Sequence, residues 1–193
     1  MTNAEIFGKI SAHMVEGMMF HEKMADYYDF LGLDGYRCCH KWHYLMETIN
    51  RSALHQFYIS HYNMLLKDEI VDSDVELIPV SWWKVTRLDV DPATKKNGVK
   101  TGVSEWKSWE EHTKKLYSEL HKELVNSGDM LAASFLMDII KDVDKEIRSA
   151  EKKMMQLNSV AYDMVYIYDE QRRVLKKYES LSSERFRDIL GGC

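Results

Sequence analysis

From Ala4 to about Leu31, apolar or aromatic residues recur at steps of three and four: Ile6, Ile10, Met14, Gly17, Phe20, Met24, Tyr28 and Leu31. This spacing predicts an amphipathic helix. Gly32, Asp34 and Gly35 supply turn chemistry, and a second helix is expected from about Tyr36 to Leu66, with a stripe on Cys39, Trp42, Met46, Ile49, Ala53, Phe57 and Met64. The two form a helical hairpin. Asp68 to Gly102 reads differently, with β-branched and aromatic residues followed by DPATKKNG and KTG, and predicts a long crossover. ELIPV and WKVTRLDV alternate like a short strand pair, although Pro79 confines the first run to an edge or an extended loop.

Ser104 is the expected N-cap of a third helix, whose stripe runs through Trp106, Trp109, Thr113, Leu116, Leu120 and Leu124 to a stop at Asn126-Ser127-Gly128. A fourth opens at Asp129 and runs through Leu131, Phe135, Ile139, Val143, Glu146, Ala150, Met154 and Leu157. The periodicity continues past Asn158-Ser159 to Tyr178, as one very long helix or as a fifth element, and a short terminal helix is expected over Ser183 to Leu190. The fold class is therefore all-α: a bundle over about 4–157, a crossover over about 67–103, and a helical extension over about 158–190, in one domain spanning 1–193. Two hairpins joined by one long connection differ from an up-down-up-down bundle, which needs only short loops.

Composition narrows the partners. A formal charge of −5, spread over well-mixed acids and bases, offers no basic face for nucleic acid. The N-terminus lacks a basic segment followed by an unbroken apolar stretch, and no span for a membrane is expected anywhere. Cys38, Cys39 and Cys193 do not make a disulfide framework, which points to a reducing cytoplasm. No Walker loop, nucleophile elbow, glycine fingerprint or cysteine zinc pair occurs. The methionines read as core filler, and KDVDKEIRSAEKK reads as a solvated helix face.

What remains is carboxylate chemistry. Glu16 stands at the edge of the first stripe, Glu47 shares a row with His43, Asn50, Leu54 and Phe57, and Glu110 shares one with Trp106, Thr113, Tyr117 and Leu124. Glu146 lies between Ile139, Asp142 and Ala150, so that Asp142 and Glu146 make an i,i+4 acid pair near the core. Four inward carboxylates, one per helix, are expensive to bury unpaired, and a dinuclear metal centre would offset that cost. The opposing reading places these acids at the boundary in water, or pairs them with Arg51, Lys145 or Arg148. His40, His43 and Glu47 form a second row able to bind a divalent ion, or are partly exposed helix residues, while His55 and His61 read as structural. The clustered aromatics, Tyr27, Tyr28, Trp42, Tyr44, Trp82, Trp83, Trp106 and Trp109, read as core and crossover packing.

The segments that carry these acids resemble the ferritin superfamily. Glu16 followed by Tyr27-Tyr28 is similar to the ferritin first helix, GLDGYRCCHKWHYLMETIN to the bacterial ferritin turn and second helix, and SWEEHTKKLYSELHKELVNSGDMLAASFLMDII to the third helix and the start of the fourth. The resemblance spans about Ala4 to Leu157. It implies a ferritin-like bundle binding iron or another transition metal, with Glu16 and Glu110 as terminal ligands, Glu47 as the bridge, and Glu146 as a ligand or an acid on the ion's way in. The Glu-x-x-His motif falls on Glu47 and Asn50, and the Gln-x-x-Glu pair on Val143 and Glu146. Asparagine is a weak neutral donor in place of an imidazole, and valine cannot bind a metal. The expected activity is oxidation or storage of Fe(II) at a diiron-carboxylate site, in a homo-oligomer. The alternative is a metal-free ferritin-like scaffold acting through assembly or a partner.

Overall fold

The computed structural model describes residues 1–66 and 90–181. Among these residues there are five helices: α1 (Asn3–Phe30), α2 (Asp34–Tyr62), α3 (Pro92–Asn126), α4 (Met130–Ser159) and α5 (Met164–Leu181). The proposed strand pair and terminal helix fall on residues outside the described ones, apart from Val90, as do Trp82 and Trp83.

The starts of α1, α3 and α4 have local causes. Thr2 caps α1 in a reciprocal box with Glu5. Asp129 caps α4 by accepting from the Ala132 N–H, and it also takes hydrogen bonds from Tyr62 Oη at 2.7 Å and Asn3 Nδ2 at 3.0 Å, tying both hairpins together at one end. The third helix begins a dozen residues before the expected Ser104. Asp91 accepts from the N–H groups of Ala93 and Thr94 at 2.7 and 2.9 Å, with Pro92 at the first helical position, a strong start signal hidden in a run that also reads as a turn. Gly98 and Gly102 then serve contact instead of breaking the helix. The Gly98 carbonyl accepts from Tyr27 Oη at 2.9 Å, and a Cβ at Gly102 would clash with Tyr28 Oη.

The core forms at the two ends of the bundle. At one end Ile6, Phe7 and Ile10 of α1 pack with Leu54 and Tyr58 of α2, Leu120 and Leu124 of α3, and Ala132 and Leu136 of α4. At the other, Tyr27, Tyr28 and Leu31 pack with Tyr36, Val99, Val103, Ala150, Leu157 and Ile167. Helices α1 and α4 therefore run one way, and α2 and α3 the other. Leu66 packs at the first end and Val90 at the second, so these two residues stand at opposite ends of a helix of 29 residues, about 40 Å at 1.5 Å per residue.

Two stripes are phased differently from the expectation. On α2 the buried residues include Leu45, Leu54 and Tyr58, while Ile49 and Met64 are exposed; on α4, Leu131 is exposed and Ala132, Ala133 and Leu136 are buried. The long C-terminal pattern resolves into two helices, because Ala161 and Tyr162 both adopt left-handed backbone conformations, with φ of 50° and 54°. Neither is glycine, so the turn carries strain that the burial of Tyr162 offsets. Helix α5 packs on α2, and Tyr178 closes over Cys38, Cys39 and Leu45. Cys38 is buried and disulfide-bonded while Cys39 beside it is a free thiol, so the bridge present is not a framework but departs from the reducing setting expected.

Candidate metal centre

Between the two apolar ends lies a polar layer. Its cavity, of about 280 Å³, is lined by His21 of α1, His43, Glu47 and Asn50 of α2, Glu110 and Tyr117 of α3, and Val143 and Glu146 of α4, among others. All four main helices reach it. Of the sequence candidates, Glu47, Asn50, Glu110 and Glu146 line the cavity together, and so does Val143. Glu16 does not. Its carboxylate accepts from His13 Nδ1 at 2.9 Å, with a third of the side chain exposed, and His13 Nε2 sits 2.8 Å from Thr113 Oγ1.

Glu110 is the most enclosed acid, at 4% exposure, and takes a hydrogen bond from Trp106 Nε1 at 3.2 Å. His21 Nε2 stands 3.8 Å from its Oε1, and His43 Nε2 stands 3.6 Å from Glu146 Oε2. The two rings are stacked, with centroids 5.0 Å apart. Glu47 lies against α1 where Gly17 leaves room: a Cβ there would meet the carboxyl carbon at 3.3 Å. Asp142 lines the same cavity as Glu146 but from an exposed position, where it takes an ion pair from Lys145, which lines the cavity too. Glu110 and Glu146 are faced by histidines, where the sequence offered Arg51, Lys145 or Arg148. Arg51 donates to Ser11 Oγ at 3.2 Å instead.

Protonation in the layer is strained. Burial, joined by the charge of Glu146 and opposed by His43, pushes Glu47 up to about 7. Burial, again opposed by His43 and helped by Glu47 and Glu146, pushes Glu110 to about 8. For His43, burial disfavours the cation, but the hydrogen bond to Cys39 and the charges of Cys39, Glu146 and Glu110 outweigh it and raise the ring to about 9. His21 and His40 fall well below the usual value, first through burial and then through His43, and their Nδ1 atoms lie 3.1 Å apart. Without a metal, the imidazolium of His43 serves as the layer's counter-ion.

No protein-family model and no curated protein matches the sequence. Solved structures do. An open-pore ferritin from the hyperthermophilic archaeon Archaeoglobus fulgidus superposes with a TM-score of 0.72 at 16% identity, over 91% of this chain and 96% of that one. A closed form of the same ferritin, made by site-directed mutagenesis, gives the same values. A humanized archaeal ferritin matches at TM-score 0.72 and 15% identity, over 91% and 97%.

The chain has a ferritin-like fold.

Within this ferritin-like bundle the nitrogen donors sit on unexpected turns. Asn50 occupies the place of the expected histidine, and imidazoles enter instead from His43, one turn before Glu47, and from His21 on α1. His43 was visible as part of the His40–His43–Glu47 row. His40 itself is buried, turned towards His21 and stacked on Tyr28 with centroids 5.3 Å apart, outside the cavity lining. His21 carried no motif; its place on the first stripe, four residues after Gly17 and three before Met24, was the only signal. His55 and His61 have structural partners, Ser11 and Asp129.

The donor set of two imidazoles and three carboxylates suits iron, manganese or zinc. Separations of 3.6 and 3.8 Å in the two His–Glu pairs can be spanned by one ion each, since bonds to nitrogen and oxygen are about 2.0–2.2 Å. Among the described residues, no three His, Cys, Asp or Glu side chains stand close enough to hold an ion as placed. Each acid is instead turned to an imidazole or, for Glu47, packed on Gly17.

Proposed function

We propose that this polar layer is a dinuclear metal centre that binds ferrous iron, with Glu47, Glu110 and Glu146 as carboxylate ligands and His21 and His43 as nitrogen ligands. The observation that supports the reading is the convergence, between two apolar ends, of three glutamates with two histidines on four different helices. Asn50 remains a weak neutral donor on the cavity wall, and Glu16 stands at its edge. Metal binding requires Glu47 to swing from Gly17 towards the two His–Glu pairs and His43 to give up its proton. Bound ferrous ions would supply electrons to dioxygen or peroxide. The chain's own part is to shield Glu110 from water, to keep it oriented through Trp106 Nε1, and to release the protons held on Glu47, Glu110 and His43 as an ion enters. A homo-oligomer is proposed on the fold's likeness to ferritins alone; no helix among the described residues is long and apolar enough to cross a membrane.

The test is metal analysis of protein purified without chelator, followed by anaerobic Fe(II) titration. About two irons per chain are expected, with binding abolished in Glu47→Gln. No iron above background defeats the reading and leaves the metal-free scaffold.

A further inference from the structure

An imidazole that binds a metal gives one ring nitrogen to the ion and keeps its proton on the other, so whatever meets the second nitrogen decides which of the two is free to bind. The two nitrogens of His21 have different surroundings. Nε2 stands 3.8 Å from Glu110 Oε1, and both residues line the cavity. Nδ1 stands 3.1 Å from Nδ1 of His40, which is outside the cavity lining. Uncharged rings meeting at these atoms share a single proton: one nitrogen donates, and the other must offer its lone pair.

The His40 ring is clamped in this orientation. It is 2% exposed, stacked on Tyr28 with centroids 5.3 Å apart and planes at 15°, and set edge-on to Trp106 at 5.7 Å. Tyr28 is itself stacked on Tyr36 at 5.1 Å. Trp106 also gives its Nε1–H to Glu110 Oε1, so one indole braces both the carboxylate and the ring behind His21. Were the shared proton on His40, His21 would carry its own on Nε2, aimed at a carboxyl oxygen that is beyond hydrogen-bond reach at 3.8 Å and already accepts from Trp106. A buried N–H so placed is costly. With the proton on His21 Nδ1, the 3.1 Å contact is an ordinary hydrogen bond and Nε2 presents a lone pair towards Glu110.

We propose that His40 is a positioning residue, which accepts the Nδ1–H of His21 and so fixes that ring with its Nε2 lone pair towards the cavity. It acts through His21 and does not touch the ion. The consequence for metal affinity rests on the dinuclear reading of the layer; the tautomer of His21 does not.

The test begins with the full chain, freed of metal and carrying isotope-labelled histidine, read by nitrogen NMR near neutral pH. Ring nitrogens with and without a proton resonate in separate ranges, and His21→Gln assigns the His21 signals by their absence. His21 should be protonated on Nδ1 and bare on Nε2, and His40 the reverse. Co(II) is then titrated as the probe. His40→Phe keeps a ring against Tyr28 and Trp106 but removes the acceptor; it should abolish the tautomer preference of His21 and weaken Co(II) binding by about 10–100-fold. His40→Asn, whose amide oxygen can stand in for Nδ1, should restore the tautomer and bring affinity to within about threefold of the parent. A proton on His21 Nε2 in the parent, unchanged Co(II) affinity in His40→Phe, or His40→Asn as weak as His40→Phe each overturns the proposal. A parent that takes up no Co(II) defeats the dinuclear reading instead, and the His21 tautomer measured without metal still decides this one.

Discussion

Two imidazole–carboxylate groups share the polar layer and behave differently. Around His13, every polar atom has a short partner: Nδ1 meets Glu16 at 2.9 Å, Nε2 meets Thr113 at 2.8 Å, and the ring stacks on Trp109 at 4.8 Å. Around His21 and His43, the contacts to Glu110 and Glu146 stretch to 3.8 and 3.6 Å, and three acids, of which Glu110 is buried, face one imidazolium. The first group is a satisfied polar plug. The second is an arrangement that a divalent cation would relax, which is why the proposed chemistry is placed there.

Metal titration should break the comparison most sharply. Glu110→Gln or Glu47→Gln should lower Fe(II) or Co(II) affinity by at least about 100-fold, whereas Glu16→Gln should change it by less than about threefold. Equal losses in Glu16→Gln and Glu110→Gln would erase the distinction.

Stability should show the reverse ranking. His13→Ala removes two hydrogen bonds and an aromatic stack, and should cost roughly 2–3 kcal/mol in denaturant unfolding; a cost near zero would mean that the plug is not holding α1 to α3.

The pH profile sharpens the contrast further. Glu47 and Glu110, raised to about 7 and about 8, keep protons in the folded chain that the unfolded chain has released, so stability falls as pH rises through that window. His43, raised to about 9, has the same sign: its contribution is complete below the ordinary histidine value of 6.5 and is lost as pH rises through 9. The lowered His13, His21 and His40 act oppositely, but only below that ordinary value. Metal-free protein should therefore lose stability between about pH 6.5 and 9, and Glu110→Gln should recover on the order of 1–3 kcal/mol near pH 8.5. A profile flat or rising in the metal-free parent counts against the strained layer.

The smallest effect is expected from Asn50→His, which restores an imidazole on the cavity wall. If His21 and His43 already supply the nitrogen ligands, iron affinity should rise by less than about tenfold. A much larger gain would show that those two rings are spectators.

Much of the fold was legible beforehand because it rests on local rules. The α1–α2 and α3–α4 hairpins follow from apolar periodicity and turn residues, and the long link from its change of composition. Helix phase was less legible on α2, where Ile49 looked like a core residue and Leu54 decides the packing. The start at Asp91-Pro92 was hidden by nearby Asn97 and Gly98, of which Gly98 accepts a hydrogen bond from Tyr27 of α1. The α4–α5 break had no glycine or proline to announce it. Of the site, Glu47, Glu110 and Glu146 were visible as acids on inward rows; His21 was not, because one imidazole on an apolar face has no pattern of its own.

By itself, the sequence determined that the chain is helical hairpins joined by one long link and which acids lie near the apolar stripes, since both follow from repeats of three and four along one segment. Only tertiary structure decided which acids meet. That Glu16 turns to His13 while Glu110 faces His21, and that Lys153 is drawn under α5 to Glu170, depends on distances between segments far apart in the chain. Coulombic and desolvation energies act across those distances, and no local periodicity encodes them.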